Sequence, residues 1–136
     1  MTEPSGPITF FSRTYDETLG LLVEARDYVG HGQVDEIDDL GPAAQALAAQ
    51  ETTRLVARLT QIMAWLLVRK AVTAGEMTAD EALREEHRLA GHAICLDDGP
   101  VPRVMPDTHL ATLMDRSRRL YVRVARLDEM LERDAA

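Results

Sequence analysis

The longest helix of this chain is predicted around an unbroken apolar run, Ile62-Met63-Ala64-Trp65-Leu66-Leu67-Val68. The run lies in a segment from Pro42 to Ala74 that contains no glycine and, after Pro42, no proline. A helix that is apolar on every face must be buried on every face. The run is too short to cross a bilayer, which takes about 20 apolar residues. We therefore expect a protein surface to cover it on all sides.

The apolar residues of this helix are expected to lie on two faces, one buried in the core of the chain and one covered by a partner. One stripe at helical spacing is assigned to the core of the chain, and it consists of Leu55, Leu59, Ile62 and Leu66. The surplus apolar residues form the candidate dimer or partner surface, which consists of Met63, Trp65, Leu67 and Val68. The simplest partner is a second copy of the chain, so we expect a homodimer.

The composition indicates a single helical domain, residues 1–136, in the cytoplasm. The chain has 136 residues, and the apolar content is mostly Leu, Ala, Val and Met, with only 4% aromatic residues. The net charge of −8 argues against nucleic-acid binding, which needs a cationic surface. The only cysteine, Cys95, excludes an intrachain disulfide and fits a reducing compartment. The first residues lack the basic and apolar regions of a signal peptide, and no segment predicts membrane insertion.

The first predicted helix follows a flexible leader, residues 1–7. It runs from about Thr9 to Val29, where its apolar positions approach a heptad stripe. Gly30-His31-Gly32 is expected to end it, because glycine is the usual residue after a helix C-terminus. An acidic loop, residues 35–41, should lead to the next helix.

The second helix is predicted from Pro42 to Ala74, and Gly75 ends it. A short third helix should begin after Thr78, whose side chain and that of Glu81 have the spacing of a capping box. We expect this short helix to run to about Leu89.

A stiff, non-helical loop is predicted for residues 97–107, because it contains three prolines. Asp107 or Thr108 then caps the last helix. Its seam alternates in steps of three and four residues, through Leu110, Leu113, Ser117, Leu120, Val124, Leu127 and Leu131. No segment shows strand alternation. The expected fold is all-α, an antiparallel three-helix bundle of long helices plus one short helix.

No enzyme motif accompanies these helices. The sequence has no P-loop, no dinucleotide fingerprint, no H-E-x-x-H and no C-x-x-C, so we expect no catalysis and no cofactor. Possible zinc ligands occur in one region, at His87, His92, Cys95 and His109, with Asp97 and Asp98 nearby. Their spacing matches no closed zinc module. Solvated histidines and a small buried thiol are the favoured interpretation, so no metal is predicted.

A phosphotransfer module is the alternative function. His87-Arg88-Leu89-Ala90-Gly91 is similar to the motif of histidine phosphotransfer domains, in which a histidine on a bundle helix is followed by an apolar residue, a lysine and a glycine. The lysine neutralises the charge that the phosphoryl group adds. Ala90 occupies the lysine position here, so the motif is incomplete.

An arginine stripe lies beside the seam of the last helix, at Arg116, Arg119, Arg123 and Arg126. The favoured interpretation is interhelical ion pairing, with Glu17 and Glu24 of the first helix as the acidic counterpart. A docking surface for an acidic partner protein is the functional alternative. DNA binding by this stripe is less favoured, because the field of the whole chain is negative.

The chain also resembles a known family, the regulators of CtrA degradation of alphaproteobacteria, long known only as a domain of unknown function. The resemblance covers nearly the whole chain. It begins with an aromatic-led first helix, Thr9-Phe10-Phe11-Ser12-Arg13-Thr14-Tyr15, and a second helix that carries Arg54 to Arg69. Gly75-Glu76-Met77-Thr78, the proline-rich loop and the helix from Leu110 to Leu131 follow.

This resemblance implies a dimeric three-helix bundle without enzymatic activity. It implies an adaptor that helps to deliver the response regulator CtrA to the AAA+ protease ClpXP. Contacts with a receiver-domain adaptor upstream and a cyclic-di-GMP-binding effector adaptor downstream are implied, together with transient recruitment to a cell pole. Members of the family continue past the last helix with a polar tail, so a tail is expected beyond Ala136. No short motif of functional residues carries over.

Overall fold

The computed structural model describes residues 7–135, with side chains from Phe10 onward, so residues 1–6 of the predicted leader lie outside the described residues. Within this range the chain is helical apart from turns and has no strand, which confirms the all-α class. The α-helices are α1 (Pro7–Asp27), α2 (Gln33–Ile37), α3 (Pro42–Thr73), α4 (Ala79–Ala82), α5 (His92–Cys95), α6 (Val101–Val104) and α7 (His109–Ala135).

The predicted stop at Gly30-His31-Gly32 is wrong. A π-helical stretch, Tyr28–Gly32, continues α1 directly into α2 and then into a 3₁₀ turn, Asp38–Leu40. The predicted acidic loop is therefore helical up to Leu40. Buried side chains hold it in place, because Tyr28 is 3% exposed and Ile37 is 2% exposed. Tertiary packing thus outweighs the low helix propensity of glycine. The chain reverses only at Gly41, whose φ of 95° suits glycine.

The bounds of α3 agree with the prediction to within one residue. Its C-terminus is a Schellman motif, in which the Glu76 N–H donates to the Ala71 carbonyl and the Gly75 N–H donates to the Val72 carbonyl. Gly75 has a φ of 77°, as this motif requires. The predicted core stripe is confirmed, since each of Leu55, Leu59, Ile62 and Leu66 is at most 2% exposed.

The short third helix starts as predicted but ends early. The Thr78 hydroxyl accepts a hydrogen bond from the Glu81 N–H at 3.1 Å. Helix α4 then ends at Ala82, and a 3₁₀ turn, Glu85–His87, follows instead of a continuous helix to Leu89. Both residues that flank the turn have extended backbone, with ψ of 149° at Arg84 and 153° at Arg88. The side-chain contacts of Arg88 described below hold the chain in this irregular path.

The proline-rich loop is not entirely non-helical, because α6 forms one turn inside residues 97–107. Pro102 lies in the first turn of α6, where a backbone N–H would have no acceptor within the helix, so the missing N–H of proline costs nothing. Val101 is fully buried and anchors this turn.

Helix α7 has the predicted cap and seam. The Thr108 hydroxyl accepts a hydrogen bond from the Ala111 N–H at 3.1 Å, so Thr108 is the cap. The seam from Leu110 to Val124 is buried, and Leu127 and Leu131 are partly buried against the core. The pattern of steps of three and four residues therefore identified the buried face correctly.

Contacts between the long helices fix their relative directions. Helix α3 packs against both α1 and α7. Glu17 pairs with Arg123 and Glu24 with Arg116, so α1 and α7 are antiparallel. Arg58 reaches the Met114 carbonyl and Trp65 reaches Asp128, so α3 and α7 run in the same direction. The all-antiparallel arrangement is therefore not confirmed.

The segment between α3 and α7, residues 74–108, explains the parallel pair. A short connection would force neighbouring helices to be antiparallel, whereas this segment is long enough to return along the side of α3 to the start of the bundle. Its buried residues, Ala82, Leu89, Cys95 and Val101, belong to or pack near the core. Within residues 7–135, no helix combines the length and the apolar character that crossing a membrane would need.

Candidate functional site

The apolar run of α3 is divided between core and surface. Ile62 and Leu66 are buried, Met63 and Val68 are half-buried, and Leu67 is 49% exposed. Trp65 is 2% exposed and does not belong to the candidate partner surface, which corrects the prediction. The expectation that every face of this run is covered does not hold within one copy of the chain.

The burial of Trp65 has two causes. The ring of Phe11 packs edge-on against the indole, with centroids 5.6 Å apart. The indole N–H donates to the Asp128 carboxylate at 2.9 Å. An indole that is enclosed and hydrogen-bonded in this way is a core residue.

An exposed apolar surface remains on α1 and α3. We call it the α1–α3 face, and it consists of Leu19, Val23, Val56, Met63 and Leu67. Four of these side chains are between 41% and 53% exposed, and Met63 is half-buried.

Helical spacing places the two halves of this face side by side. Leu19 and Val23 continue the face of α1 that begins at Ser12 and Asp16. Met63 and Leu67 lie on the face of α3 that continues to Lys70. Ser12, Asp16 and Lys70 line one cavity between the two helices, so the halves adjoin. An apolar surface of this kind is typical of a protein contact.

The arginine stripe of α7 is mostly engaged in ion pairs. Arg116 donates to the Glu24 carboxylate at 2.7 Å, and Arg123 pairs with Glu17. These are the two acidic partners that the sequence predicts. Hydrogen bonds from His109 and Arg116 lower the pKa of Glu24.

Two members of the stripe remain as candidates for docking. Among the described residues, the one ion pair of Arg119 is with the exposed Asp115 on its own helix, at 2.9 Å, and Arg126 is exposed. A docking role for Arg119 and Arg126 stays a prediction.

Glu36 anchors the helical extension of α1 to the start of α7. Its carboxylate accepts hydrogen bonds from the His109 N–H at 2.6 Å and the Leu110 N–H at 3.3 Å. The Tyr28 hydroxyl donates to the same carboxylate at 2.7 Å. Burial raises the pKa of Glu36, but these hydrogen bonds lower it more, so its pKa lies below the usual value. Glu36 therefore caps the N-terminus of α7, although it is distant from α7 in the sequence.

Arg58 is the most connected buried side chain. It is fully buried in α3 and donates to the carbonyls of Cys95, Asp97 and Met114 and to the hydroxyl of Ser117. Desolvation lowers its pKa to about 10. The guanidinium therefore holds α3, α5 and α7 together through backbone acceptors.

Glu51 is also fully buried, and it lies about two helical turns before Arg58 on α3. Neither carboxylate oxygen receives a hydrogen bond from the described residues, and the nearest cation atom is Arg54 Nε at 3.6 Å. Gly99 packs directly on this carboxylate, with a φ of 70°, so any Cβ at position 99 would overlap it. Arg54 also reaches Asp97 at 3.2 Å. Desolvation raises the pKa of Glu51.

We expect Glu51→Gln to be more stabilising relative to wild type as the pH rises. The unfolded chain releases the Glu51 proton near the ordinary value of 4.5, and the folded chain releases it only at a higher pH. Between these two values the folded state binds more protons, so the free energy of unfolding of the wild type falls with pH. Urea denaturation from pH 4 to pH 8, compared between the variant and the wild type, measures this difference.

Glu36→Gln is the control with the opposite sign. The pKa of Glu36 is lowered, so the wild type loses its contribution when the pH falls below the ordinary range. The difference in the free energy of unfolding between Glu36→Gln and the wild type should therefore become smaller toward low pH. If the difference in the free energy of unfolding between Glu51→Gln and the wild type is independent of pH, the pKa of Glu51 is not raised.

Asp128 is the centre of a second buried network. It is 4% exposed and accepts hydrogen bonds from the Trp65 indole and from Arg88 Nε, at 2.9 Å to Oδ2. Arg88 also reaches Glu132 at 2.7 Å. This network connects α3 and α7 to the irregular segment after α4.

The residues considered as metal ligands do not converge, and the candidate phosphotransfer histidine lacks a helical setting. Among residues 7–135, no group of three or more His, Cys, Asp or Glu side chains is arranged to hold a metal ion. His87 is half-buried in a 3₁₀ turn and lies 3.6 Å from Glu86, so the helical setting of a phosphotransfer histidine is missing. Cys95 is buried, and desolvation raises its pKa, which makes it a poor nucleophile.

The burial of four charged residues, Glu51, Arg58, Arg69 and Asp128, was not predicted from the sequence. The burial of two of them could have been predicted from their spacing relative to the apolar stripe of α3. Glu51 and Arg58 flank the stripe residue Leu55 at distances of four and three residues, on the same helix face. A charged residue at a core-facing position indicates a buried partner elsewhere in the chain.

One comparison with known proteins identifies a family. No curated protein and no solved structure shows significant similarity to this chain. A family described as "Protein of unknown function (DUF1465)" matches residues 6–136, which is nearly the whole chain. The chain belongs to the DUF1465 family.

Proposed function

We propose that this protein is a non-catalytic adaptor of regulated proteolysis, as its resemblance to the regulators of CtrA degradation implies. In this role it tethers the response regulator CtrA near the protease ClpXP and raises its effective concentration there. The resemblance extends over the same stretch that the DUF1465 family covers. The three long helices act as a bundle that carries the contact surfaces.

The observation that carries this proposal is the α1–α3 face. An adaptor that works as a dimer needs an exposed apolar face on a rigid support, and this face lies on α1 and on α3, which buried networks hold in place. The buried ionisable side chains of these networks bind other parts of the chain, so their role is to stabilise the bundle. The α1–α3 face is the homodimer contact in this proposal.

The partners follow from the resemblance. They are the response regulator substrate, a receiver-domain adaptor, a cyclic-di-GMP-binding effector adaptor and the AAA+ protease, met in the cytoplasm and transiently at a cell pole. Arg119 and Arg126 are the candidate docking residues, because they are exposed on α7. Charge complementarity of this kind mainly sets specificity and association rate.

A reconstituted degradation assay tests the adaptor role. Purified protease, receiver-domain adaptor, effector adaptor and substrate are combined with and without this protein. We expect substrate turnover to rise when the protein is present. Unchanged turnover on its omission would refute the proposal.

Homodimer formation is tested by Leu67→Glu. A carboxylate buried without a partner costs several kcal/mol, so we expect the variant to be a monomer where the wild type is a dimer. Val104→Glu is the matched control, because Val104 is 62% exposed on α6, away from the α1–α3 face. Light scattering measures the mass in solution. Equal masses for the wild type and Leu67→Glu would exclude this face as the interface.

Phosphotransfer through His87 stays the alternative function. Incubation with a labelled phosphorylated receiver domain tests it, and we expect no acid-labile phosphate on the protein. Transfer that is lost in His87→Gln would instead favour the signalling role.

A further inference from the structure

Arg69 is a buried cation that has no carboxylate partner among the described residues. It is 7% exposed, and no ion pair within 4 Å involves it among residues 7–135. Its Nη2 donates to the Ala82 carbonyl at 2.9 Å, its Nε has no acceptor, and its guanidinium stacks on the Trp65 ring at 4.9 Å. Asp128, whose charge acts on Arg69, already accepts hydrogen bonds from Trp65 and Arg88. A buried charge left this way costs folding free energy unless an anion joins it.

Arg69 is one of the residues that line a cavity of about 270 Å³ between α1 and α3. Phe11, Tyr15 and Leu66 give it an apolar wall. Lys70 lines it as a second cation and lies 4.4 Å from the Tyr15 ring centroid. Among the described residues, Asp16 is the only acidic one in the lining, so this part of the lining carries one net positive charge.

We propose that this cavity binds a small monocarboxylate with an aromatic or branched apolar body, and that Arg69 is the residue that recognises its carboxylate. A guanidinium matches a carboxylate in charge and in fork geometry. The apolar body packs against Phe11, Tyr15 and Leu66. A ligand of this kind would bring to Arg69 the counter-charge that the described part of the chain does not provide.

The size and charge of the cavity select this class over others. A phosphate group carries nearly two negative charges and would leave one unbalanced against a single net positive charge. The volume of 270 Å³ is at the small end of ligand sites, which favours a small molecule over a protein segment. The site is therefore distinct from the α1–α3 face, although the two adjoin along α1 and α3.

The full chain titrated with 3-phenylpropionate, followed by ¹H–¹⁵N chemical shifts, tests the inference. We expect saturable shifts at Phe11, Tyr15 and Lys70 and at the Arg69 side chain. The neutral analogue 3-phenylpropionamide should bind at least tenfold more weakly, because it lacks the charge. Equal affinity for the acid and the amide, or the absence of saturable shifts at these residues, would overturn the proposal.

Two variants assign the binding to this cavity. Arg69→Met keeps the length of the side chain and removes the charge, so the preference for the acid over the amide should disappear. Arg126→Met changes the net charge equally at an exposed position of α7 and should leave the preference unchanged. Binding of the acid that survives Arg69→Met undiminished would refute the role of Arg69.

Ser12→Phe provides a second test that does not depend on the stability of Arg69→Met. Ser12 is exposed on α1 and lines the cavity, so a phenyl group there should fill it while Arg69 stays in place. We expect both the acid and the amide to lose binding. Unchanged binding of the acid by Ser12→Phe would place the ligand elsewhere on the protein.

Discussion

Arg58→Ala should lower the free energy of unfolding by about 3–5 kcal/mol, because it leaves several buried acceptors unpaired and removes a large buried side chain. Arg58 is fully buried and donates to three carbonyls and to Ser117. Its removal leaves these buried acceptors without donors and opens a cavity in the core. Urea denaturation followed by circular dichroism measures the change.

The local signature of this loss lies in the segment from Cys95 to Gly99. Two of the carbonyls that Arg58 binds belong to this segment, at Cys95 and Asp97. We expect its backbone amides to exchange with solvent much faster in Arg58→Ala than in the wild type, while the middle of α1 keeps its protection.

Arg119→Ala is the matched control for this experiment. Arg119 lies on the surface of α7, and its one ion pair among the described residues is with the exposed Asp115. Its loss should change the free energy of unfolding by less than about 0.5 kcal/mol. Similar costs for Arg58→Ala and Arg119→Ala would contradict the central role of Arg58 in the fold.

The three long helices could be predicted from the sequence because their signals are local. Gly75 ends α3 through hydrogen bonds to residues within one turn, and Thr108 caps α7 through Ala111. The seam of α7 needs only the spacing of its own apolar residues. Such features depend on a few consecutive residues, so no knowledge of the rest of the fold is required.

The continuation of α1 through Gly30 and Gly32 could not be predicted in this way. Glycine favours a helix stop by its own propensity, but Ile37 is buried in the core and Glu36 caps α7, more than 70 residues away. The parallel direction of α3 and α7 has the same origin. It depends on the path of a long connecting segment that is held by tertiary contacts.

The buried charges were missed for a related reason. Arg58 and Arg69 satisfy much of their hydrogen bonding with backbone carbonyls of distant segments, and a carbonyl has no sequence signature. The prediction of the candidate partner surface was right for Leu67, which is exposed, and wrong for Trp65, which is buried. The sequence identified surplus apolar area on α3, but the enclosure of Trp65 by Phe11 and Asp128 follows only from the packing of α1 and α7.

Asp128→Ala should lower the free energy of unfolding by about 3 kcal/mol, near the lower end of the range for breaking a buried pair. The indole N–H of Trp65 loses its acceptor in a site that excludes water. Arg88 loses its bonds to Asp128 but keeps Glu132 at 2.7 Å, and its side chain is 23% exposed, which limits its share of the cost. Glu129→Ala, one residue along on the exposed face of α7, is the control and should cost less than about 0.5 kcal/mol.

A double-mutant cycle with Trp65→Phe isolates the bond between the indole and Asp128. Phenylalanine keeps an aromatic ring against Phe11 but has no N–H to donate. If the hydrogen bond stabilises the protein, the two substitutions together should cost less than the sum of their separate costs, by about 1–2 kcal/mol. Strict additivity would show that the carboxylate of Asp128 acts through Arg88 alone, and the anchoring of Trp65 in the core would then rest on its contact with Phe11.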